Sequence, residues 1–320
     1  MAKIINLVDE KNSEIKYKIS KFPDGQQNIT ILTKERDLFL GPRLMAVTTT
    51  VKDNVKIVSR LNNWLDLEII VATVACLREF GVEKIHLVTP YFIGARSDRK
   101  FEEGGNWYLK DVICPIINSL KLASITVMDA HSSVLGNLLV NYKAIDNLEL
   151  VNYALQNILV QGNVIKNFNQ SFKEAYFEKC ILVSPDAGAF HKIQKLADKI
   201  GYTGDIIICS KERDTEGKLT QTRIPLNEEE NYNEDFIIID DICDGGRTFI
   251  NIVKAIKSCK PGYKGKIYLI VTHGIFSNGF EELNKYFDGI YCTNSYSDLG
   301  DFTQFKGKLE KTDLKQLNVY

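Results

Sequence analysis

Short apolar runs recur along the chain, and each of them ends in a polar turn. The runs are "KIHLVTPYF" (84–92), "SITVMDAHSS" (124–133), "KCILVSPDAG" (179–188), "DIIICSKERD" (205–214), "FIIIDDICDGG" (236–246) and "KIYLIVTHG" (266–274). Continuous apolar runs of this length are typical of strands that are buried on both faces, as in parallel sheets. The pattern therefore predicts several central strands with polar residues at their carboxyl ends.

Helical patterns separate these runs. Apolar residues recur every three or four positions in 65–81, 107–120, 189–201 and 247–258. Strands that alternate with helices predict an open α/β architecture, in which mostly parallel sheets are flanked by helices. Ligands of such sheets bind beyond the carboxyl ends of the strands, which is where the polar turns fall.

A weak internal repeat suggests that this architecture occurs twice. "HLVTPYFIGA" and "ILVSPDAGAF" share a strand, a Thr/Ser-Pro pair and a turn of small residues. Each is followed by a strand that ends in aspartate, in "VMDAHSS" and "IIDDICD". We therefore expect an N-terminal domain at 1–155 and a C-terminal domain at 156–320. The C-terminal tail of the second domain can pack back on the first.

Composition restricts the possible function classes. The chain has 320 residues, of which 44% are hydrophobic and 25% charged, and its net charge of −1 provides no field that attracts nucleic acid or anionic membrane. No apolar run reaches the roughly 18 residues of a membrane span, and the first residues lack the apolar core of a signal peptide. Seven scattered cysteines without a CxxC pair favour reduced thiols in a cytoplasmic protein over a zinc site or disulfides.

The most informative segment is the turn that follows the run at 236–243. Gly245 and Gly246 let the backbone approach a ligand closely, Thr248 offers a hydroxyl, and the start of the next helix adds positive potential. These features favour a phosphate site. The competing interpretation is an ordinary loop in which Asp244 caps the helix.

Asp240 and Asp241 precede this turn and would repel a bare phosphate, so they favour sugar hydroxyls or a metal as ligand. The whole stretch, "IIIDDICDGGRT", resembles the phosphoribosyl pyrophosphate loop of type I phosphoribosyltransferases and ribose-phosphate pyrophosphokinases. The resemblance implies that the two acids hold the ribose 2- and 3-hydroxyls. It also implies that the 5-phosphate is held by Asp244, Gly245, Gly246, Arg247 and Thr248.

Further segments resemble the pyrophosphokinases in particular, in family order over about residues 20–295. They are "KFPDGQQNI" (21–29), "TPYFIGARSDRK" (89–100), "MDAHSS" (128–133), "VSPDAGA" (183–189), "SKERD" (210–214) and "THGIFSNG" (272–279). The resemblance implies two tandem type I phosphoribosyltransferase-like domains. It also implies an ATP site built from Phe22, Asp24, Gln26, Arg96, Ser97, Asp98, Arg99 and His131.

The same resemblance assigns the remaining roles. Lys211 and Arg213 of the flexible loop, together with His131, would be catalytic, and His131 and Asp186 would serve Mg²⁺, with Asp186 on the sugar side. The two loop cations lie two residues apart, so they point the same way if their segment is extended. Judged by pattern alone, "KERDTEGK" is a solvated charge run. The "FPDGQ" turn, which a neighbouring subunit lends to the adenine, implies at least a homodimer.

The expected reaction is transfer of the β,γ-diphosphate of ATP to the anomeric hydroxyl of ribose 5-phosphate. Three departures from the family affect this expectation. Gln26 and Ser97 replace the usual glutamate and glutamine, "FEEGGNWYLK" (101–110) replaces a basic regulatory stretch, and Arg247 replaces glycine or alanine. The additional cation keeps ADP-ribose open as a second acceptor, with a product that feeds NAD synthesis. The sequence is also compatible, less well, with a phosphoribosyltransferase or with a regulatory homologue that lacks catalysis.

Overall fold

The computed structural model describes residues 2–32, 54–161, 174, 176–213, 219–227, 229, 232–298 and 313–320. The chain divides into two compact units: unit 1 contains 1–145 and Tyr320, and unit 2 contains 146–319. The boundary expected at 155/156 falls inside helix α4 (Leu148–Gln161), which belongs to unit 2.

A parallel sheet forms the centre of unit 1. The strands of the unit's described part are β1 (Lys3–Asn6), β2 (Tyr17–Lys21), β3 (Gln27–Ile31), β4 (Asn54–Val58), β5 (Lys84–Val88), β6 (Ser124–Met128) and β7 (Tyr142–Ile145). Five of them are hydrogen-bonded in the order β1-β4-β5-β6-β7, and every pair is parallel. Strands β2 and β3 instead form an antiparallel hairpin.

Helices α1 (Trp64–Glu79), α2 (Cys114–Ser119) and α3 (Val134–Leu138) accompany the sheet of unit 1. Helix α1 begins where it does because Asn63 and Asp66 form a capping box: the Asn63 side chain accepts from the Asp66 amide, and the Asp66 carboxylate accepts from the Asn63 amide. Its buried residues, Ile70 and Leu77 among them, join the core formed by the sheet.

Unit 2 is built around a second parallel sheet. Its described strands are β8 (Cys180–Ser184), β9 (Ile206–Ile208), β10 (Ser210–Arg213), β11 (Leu219–Arg223), β12 (Asp235–Cys243), β13 (Ile267–Gly274), β14 (Gly289–Thr293) and β15 (Asp313–Leu317). Six of these described strands pair in the parallel order β15-β14-β13-β12-β8-β9, and β10 and β11 form a separate antiparallel pair.

Helices cover both faces of this sheet, which is why its central strands are apolar on both sides. On one face, Phe236 and Ile238 of β12 pack with α6 (Arg247–Cys259). On the other face, Ile237 and Ile239 pack with α4 and α5 (Ala187–Ile200).

The predicted α/β class is confirmed, and two predicted elements need correction. The run at 205–214 is not one strand: Ile206–Ile208 belongs to the sheet, and Ser210–Arg213 belongs to the separate hairpin. The helix expected at 107–120 begins with a π-helical turn, Leu109–Ile113, before the α-helix of Cys114–Ser119. Leu109 and Ile113 in this turn are both buried.

All seven cysteines are free thiols. Cys259 is exposed and Cys76 is half-buried, whereas Cys114, Cys180, Cys209, Cys243 and Cys292 are buried. Burial raises the pKa of Cys114, Cys180 and Cys292 to about 12, so these thiols stay protonated. Within the described part of the chain, none of the helices has the length and apolar character that crossing a membrane requires.

Candidate active site

The carboxyl ends of neighbouring strands bring the predicted sugar-side acids to one edge of unit 2. Strands β8 and β12 pair in parallel, with Val183 opposite Ile238. Asp186 therefore follows the end of one strand while Asp240 and Asp241 occupy the end of its neighbour. The negative charge of Asp186 is one of the causes that raise the pKa of Asp240, in agreement with this arrangement.

The two adjacent acids are held by different groups. Asp241 is buried, with 6% of its surface exposed, and its Oδ2 lies 3.3 Å from Nζ of Lys192 on α5. Asp240 is only partly buried, and its Oδ1 accepts a hydrogen bond of 2.9 Å from the backbone N–H of Asp241. Burial is the main cause that raises the pKa of Asp240 well above its usual value, and the charges of Asp241 and Asp186 raise it further.

The glycine turn after β12 takes a shape that only glycine accepts. Gly246 is the N-cap residue of α6 and has a φ of 76°, in the left-handed region. A Cβ at Gly246 would lie 2.8 Å from Cδ2 of the buried Leu283, so space and backbone conformation both disfavour a side chain. The N-cap residue has no side chain to bond the first N–H groups of α6, so these point at the turn, which is the arrangement that anions bind.

A neighbouring loop holds this turn in place. The carbonyl of Cys243 accepts hydrogen bonds from the backbone N–H groups of Ile275 (2.9 Å) and Phe276 (3.1 Å). The side-chain amide of Asn278 donates to the carbonyl of Gly245 at 3.3 Å. The turn of Gly245 and Gly246, together with the first N–H groups of α6, is called the anion cradle below. The "THGIFSNG" segment holds this cradle in place through the hydrogen bonds just described.

The structure revises two roles that the sequence left open. Asp244 does not cap α6, since Gly246 occupies the N-cap position, so the interpretation as an ordinary aspartate cap is wrong. It is Asp186 that caps a helix: its Oδ1 accepts from the N–H of Ala189 at 3.1 Å at the start of α5. One oxygen of Asp186 is thus engaged by the backbone, and its role toward Mg²⁺ stays a prediction.

Arg247 and Thr248 form the first turn of α6. Arg247 is exposed and Thr248 is partly buried. Both residues therefore lie next to the cradle, as the resemblance implied, and Arg247 places a cation beside the N-terminal end of the helix.

Lys211 and Arg213 lie in β10, which pairs with β11 and is extended as expected. A register shift between Glu212 and Arg213 interrupts the regular alternation of side chains, so a shared direction for the two cations stays a prediction. Their side chains lie outside the described residues.

In unit 1, neighbouring strands likewise bring two predicted segments together. The segment with Arg96, Ser97, Asp98 and Arg99 follows β5, and His131 follows β6. Strands β5 and β6 are parallel neighbours, and the backbone N–H of Met128 donates to the carbonyl of Pro90 at 3.0 Å. Arg96, Arg99 and His131 are exposed at this edge, and Asp98 is partly buried.

The "FPDGQ" turn joins β2 and β3. The N–H of Phe22 donates to the carbonyl of Gln26 at 2.8 Å, and the N–H of Gln26 donates to Oδ1 of Asp24 at 3.1 Å. Phe22 has 49% of its surface exposed. The turn therefore presents an aromatic ring that the described residues of unit 1 leave half uncovered.

Lys192 is the residue of this site that the sequence did not reveal. It lies 49 positions from Asp241 along the chain and belongs to no motif. A signal exists in the helical pattern, because Lys192 flanks the buried stripe of α5 formed by Ile193, Leu196, Ala197 and Ile200. A cation beside such a stripe is close enough to reach the sheet.

Within the described ranges, no group of three or more His, Cys, Asp or Glu side chains is arranged to hold a metal ion. This does not conflict with Mg²⁺, which proteins commonly bind through one or two carboxylates together with the phosphates of a substrate. The carboxylate oxygens of Asp186, Asp240 and Asp241 are donors of the kind that Mg²⁺ prefers.

Comparisons with known proteins agree with this geometry. The phosphoribosyl transferase domain family matches residues 155–292. The ribose-phosphate pyrophosphokinase of Pyrococcus furiosus is 26% identical over 289 residues, which are 90% of this chain and 88% of that protein. The enzyme of the same name from Mycoplasmopsis pulmonis is 29% identical over 73% of this chain and 65% of its own length.

Among solved structures, phosphoribosylpyrophosphate synthetase from Mycobacterium smegmatis matches 97% of this chain and 88% of its own with a TM-score of 0.70 and 15% identity. This likeness shows the fold, since it extends over both units. The expectation of two phosphoribosyltransferase-like domains is therefore confirmed.

Proposed function

We propose that this chain, which belongs to the ribose-phosphate pyrophosphokinase family, transfers the β,γ-diphosphate of ATP to ribose 5-phosphate. The products are phosphoribosyl pyrophosphate and AMP. The observation that carries the proposal is the edge of unit 2 where β12 ends. There a pair of acids and a helix-start anion cradle lie next to each other, as the hydroxyls and the 5-phosphate of one sugar phosphate require.

The proposed reaction forms one bond to phosphorus and breaks another. The anomeric oxygen of the sugar bonds to the β-phosphorus of ATP, the bond from that phosphorus to the α-phosphate oxygen breaks, and the anomeric hydroxyl proton is released. Asp240 and Asp241 accept hydrogen bonds from the ribose hydroxyls and orient the anomeric oxygen. The turn of Gly245 and Gly246 with Thr248 fixes the 5-phosphate.

Negative charge grows on the transferred group during this step, and fixed cations lower the barrier. Lys211 and Arg213 serve this purpose from the hairpin, and Arg supplies a fork of donors where Lys supplies a point charge. Arg96, Arg99 and His131 in unit 1 bind the triphosphate of ATP. His131 on the ATP side and Asp186 on the sugar side are the residues that would each hold Mg²⁺ together with substrate phosphates, and the bound ion would neutralise phosphate charge.

The exposure of Phe22 supports an assembly of at least two copies. A half-exposed aromatic ring on an ordered turn is suited to stack on the adenine bound by a neighbouring copy. Sedimentation of the full chain, with Phe22→Ala tested for its KM for ATP, examines this part of the proposal.

The deciding experiment incubates the full chain with ATP, Mg²⁺ and ribose 5-phosphate and identifies the products by mass spectrometry. We expect a diphosphorylated sugar phosphate and an equal amount of AMP. Release of ADP, or no transfer of a diphosphate from ATP to the sugar phosphate, would contradict the proposed reaction.

Arg247 favours a second acceptor, ADP-ribose. A 5-phosphate alone is already satisfied by the helix-start amides and Thr248, whereas Arg247 adds an exposed cation at the same place. This cation suits a larger anion, such as the diphosphate of ADP-ribose. The same assay with ADP-ribose in place of ribose 5-phosphate shows directly which acceptor gains a diphosphate.

Arg247→Gly sharpens this comparison. For ribose 5-phosphate we expect a small loss of affinity, and for ADP-ribose a loss of about 1.5–3 kcal/mol, as for a hydrogen bond to a charged group. Titration of both ligands into wild type and variant measures the difference. Equal losses would remove the argument for ADP-ribose.

A further inference from the structure

Lys192 lies beside the acid pair although it belongs to none of the segments that define the site. It projects from α5, one helical turn after Ala189, whose N–H is capped by Asp186. Its Nζ lies 3.3 Å from Oδ2 of Asp241, and the exposed fractions of the two side chains are 36% and 6%. The lysine thus reaches from a partly exposed position to a carboxylate that is largely buried and keeps a small exposed fraction.

Charge explains why a cation is needed at this point. Asp240, Asp241 and Asp186 bring three carboxyl groups to one edge, and the acceptor adds a phosphate next to them. A buried carboxylate is costly, and an ammonium group beside it offsets part of that cost.

The two acids are also oriented by different means. Asp240 is held by the backbone N–H of Asp241, which is present whatever the side chains are. The carboxylate of Asp241 also receives a hydrogen bond from a side chain, that of Lys192, and a substitution can remove this contribution.

We propose that Lys192 is a positioning residue for the acceptor sugar. It fixes the carboxylate of Asp241 in the orientation that receives a ribose hydroxyl. Its positive charge also offsets the repulsion between the carboxylates and the phosphate of the acceptor. This inference rests on the proposed function, because it takes a ribose phosphate as the ligand of the acid pair. Lys192 has no part in the binding of ATP.

The test compares Lys192→Met, which keeps the length of the stem and removes the charge, with Lys192→Arg, which keeps the charge. Lys195→Met is the matched control, because Lys195 lies on the same helix and is exposed. Calorimetry of each full-length protein gives the Kd for ribose 5-phosphate and for ATP separately, and steady-state assays give kcat and both KM values.

For Lys192→Met we expect the Kd and KM for ribose 5-phosphate to rise about tenfold, which corresponds to about 1.4 kcal/mol, while the Kd for ATP stays unchanged. Lys192→Arg should restore most of the affinity, and Lys195→Met should resemble wild type. If Lys192→Met fails to fold, Lys192→Gln, which retains a polar end, replaces it in the same comparison.

An unchanged Kd for ribose 5-phosphate in a folded Lys192→Met protein would overturn the inference. Equal losses for ribose 5-phosphate and ATP, or no recovery in Lys192→Arg, would overturn it as well, because they indicate a general structural effect. A wild-type protein that neither binds nor converts ribose 5-phosphate would instead overturn the proposed function, so the two failures are distinguishable.

Discussion

Replacing Gly246 with alanine tests whether the anion cradle depends on a backbone that only glycine accepts. The left-handed conformation at Gly246 costs an alanine about 1–2 kcal/mol. The new methyl would also lie 2.8 Å from Cδ2 of Leu283, which has 2% of its surface exposed and little freedom to move. Overpacking of this kind costs about 1–3 kcal/mol more, so we expect a total near 2–5 kcal/mol.

Two other glycines of unit 2 separate the contributions. Gly201 has a φ of 74° and no atom within 4 Å of an added Cβ, so Gly201→Ala carries the backbone cost without the contact. Gly262 lacks both features, since no positive φ and no nearby atom are found there. We expect destabilisation to increase in the order Gly262→Ala, Gly201→Ala, Gly246→Ala.

The assay follows denaturation in urea together with the Kd for ribose 5-phosphate. Gly246→Ala should also weaken the binding of ribose 5-phosphate, because the shifted turn no longer aims its N–H groups at the phosphate, whereas Gly201→Ala should leave that Kd unchanged. If Gly246→Ala destabilises the protein no more than Gly201→Ala does, the contact with Leu283 has been misjudged. If it leaves the Kd unchanged, the turn is not the phosphate site.

Two further predictions concern charge. Lys211→Ala should lower kcat by about 10²–10³-fold with little effect on folding, because the cation acts mainly in the transition state. Stopped-flow assays measure kcat of this variant against that of Lys264→Ala, a control at an exposed lysine. A near-normal kcat for Lys211→Ala would refute the role. Asp240→Asn should raise the thermal midpoint of the ligand-free protein at pH 7–8. The pKa of Asp240 is raised in the folded state, so this carboxyl favours folding while it is protonated, near pH 4 and below. The contribution to stability is lost as the pH rises through the raised pKa. The difference between the two proteins should shrink toward pH 4, and a constant difference across the pH range would exclude titration of Asp240 as its cause.

Much of the fold follows from local pattern. The strands β5, β6, β8, β12 and β13 were predictable because each is a continuous apolar run closed by polar residues, and a parallel sheet buries both of its faces. The position of the acids at the strand ends follows from the same reasoning. The split of the run at 205–214 was not predictable, because Cys209 is apolar like the three isoleucines before it, yet the chain leaves the sheet there.

The candidate site was predictable only where its chemistry is local. Asp240, Asp241 and the glycine turn are adjacent in sequence, so their joint role could be inferred from one segment. The link between Lys192 and Asp241 depends on how α5 packs on β12, and the space beside Gly246 depends on Leu283, which lies in a later 3₁₀-helical turn. Such relations are set by tertiary packing and leave only faint traces in sequence, such as a lysine beside a buried helical stripe.

The distribution of free thiols makes the opening of each unit measurable on its own. Cys114 lies in the core of unit 1, and Cys180, Cys209, Cys243 and Cys292 lie in that of unit 2, while Cys259 is open to reagent at once. A thiol-specific label therefore reads the opening of the two cores separately in a single unmodified protein. Because the carbonyl of Cys243 anchors the glycine turn, its labelling rate reports how often the proposed phosphate site opens.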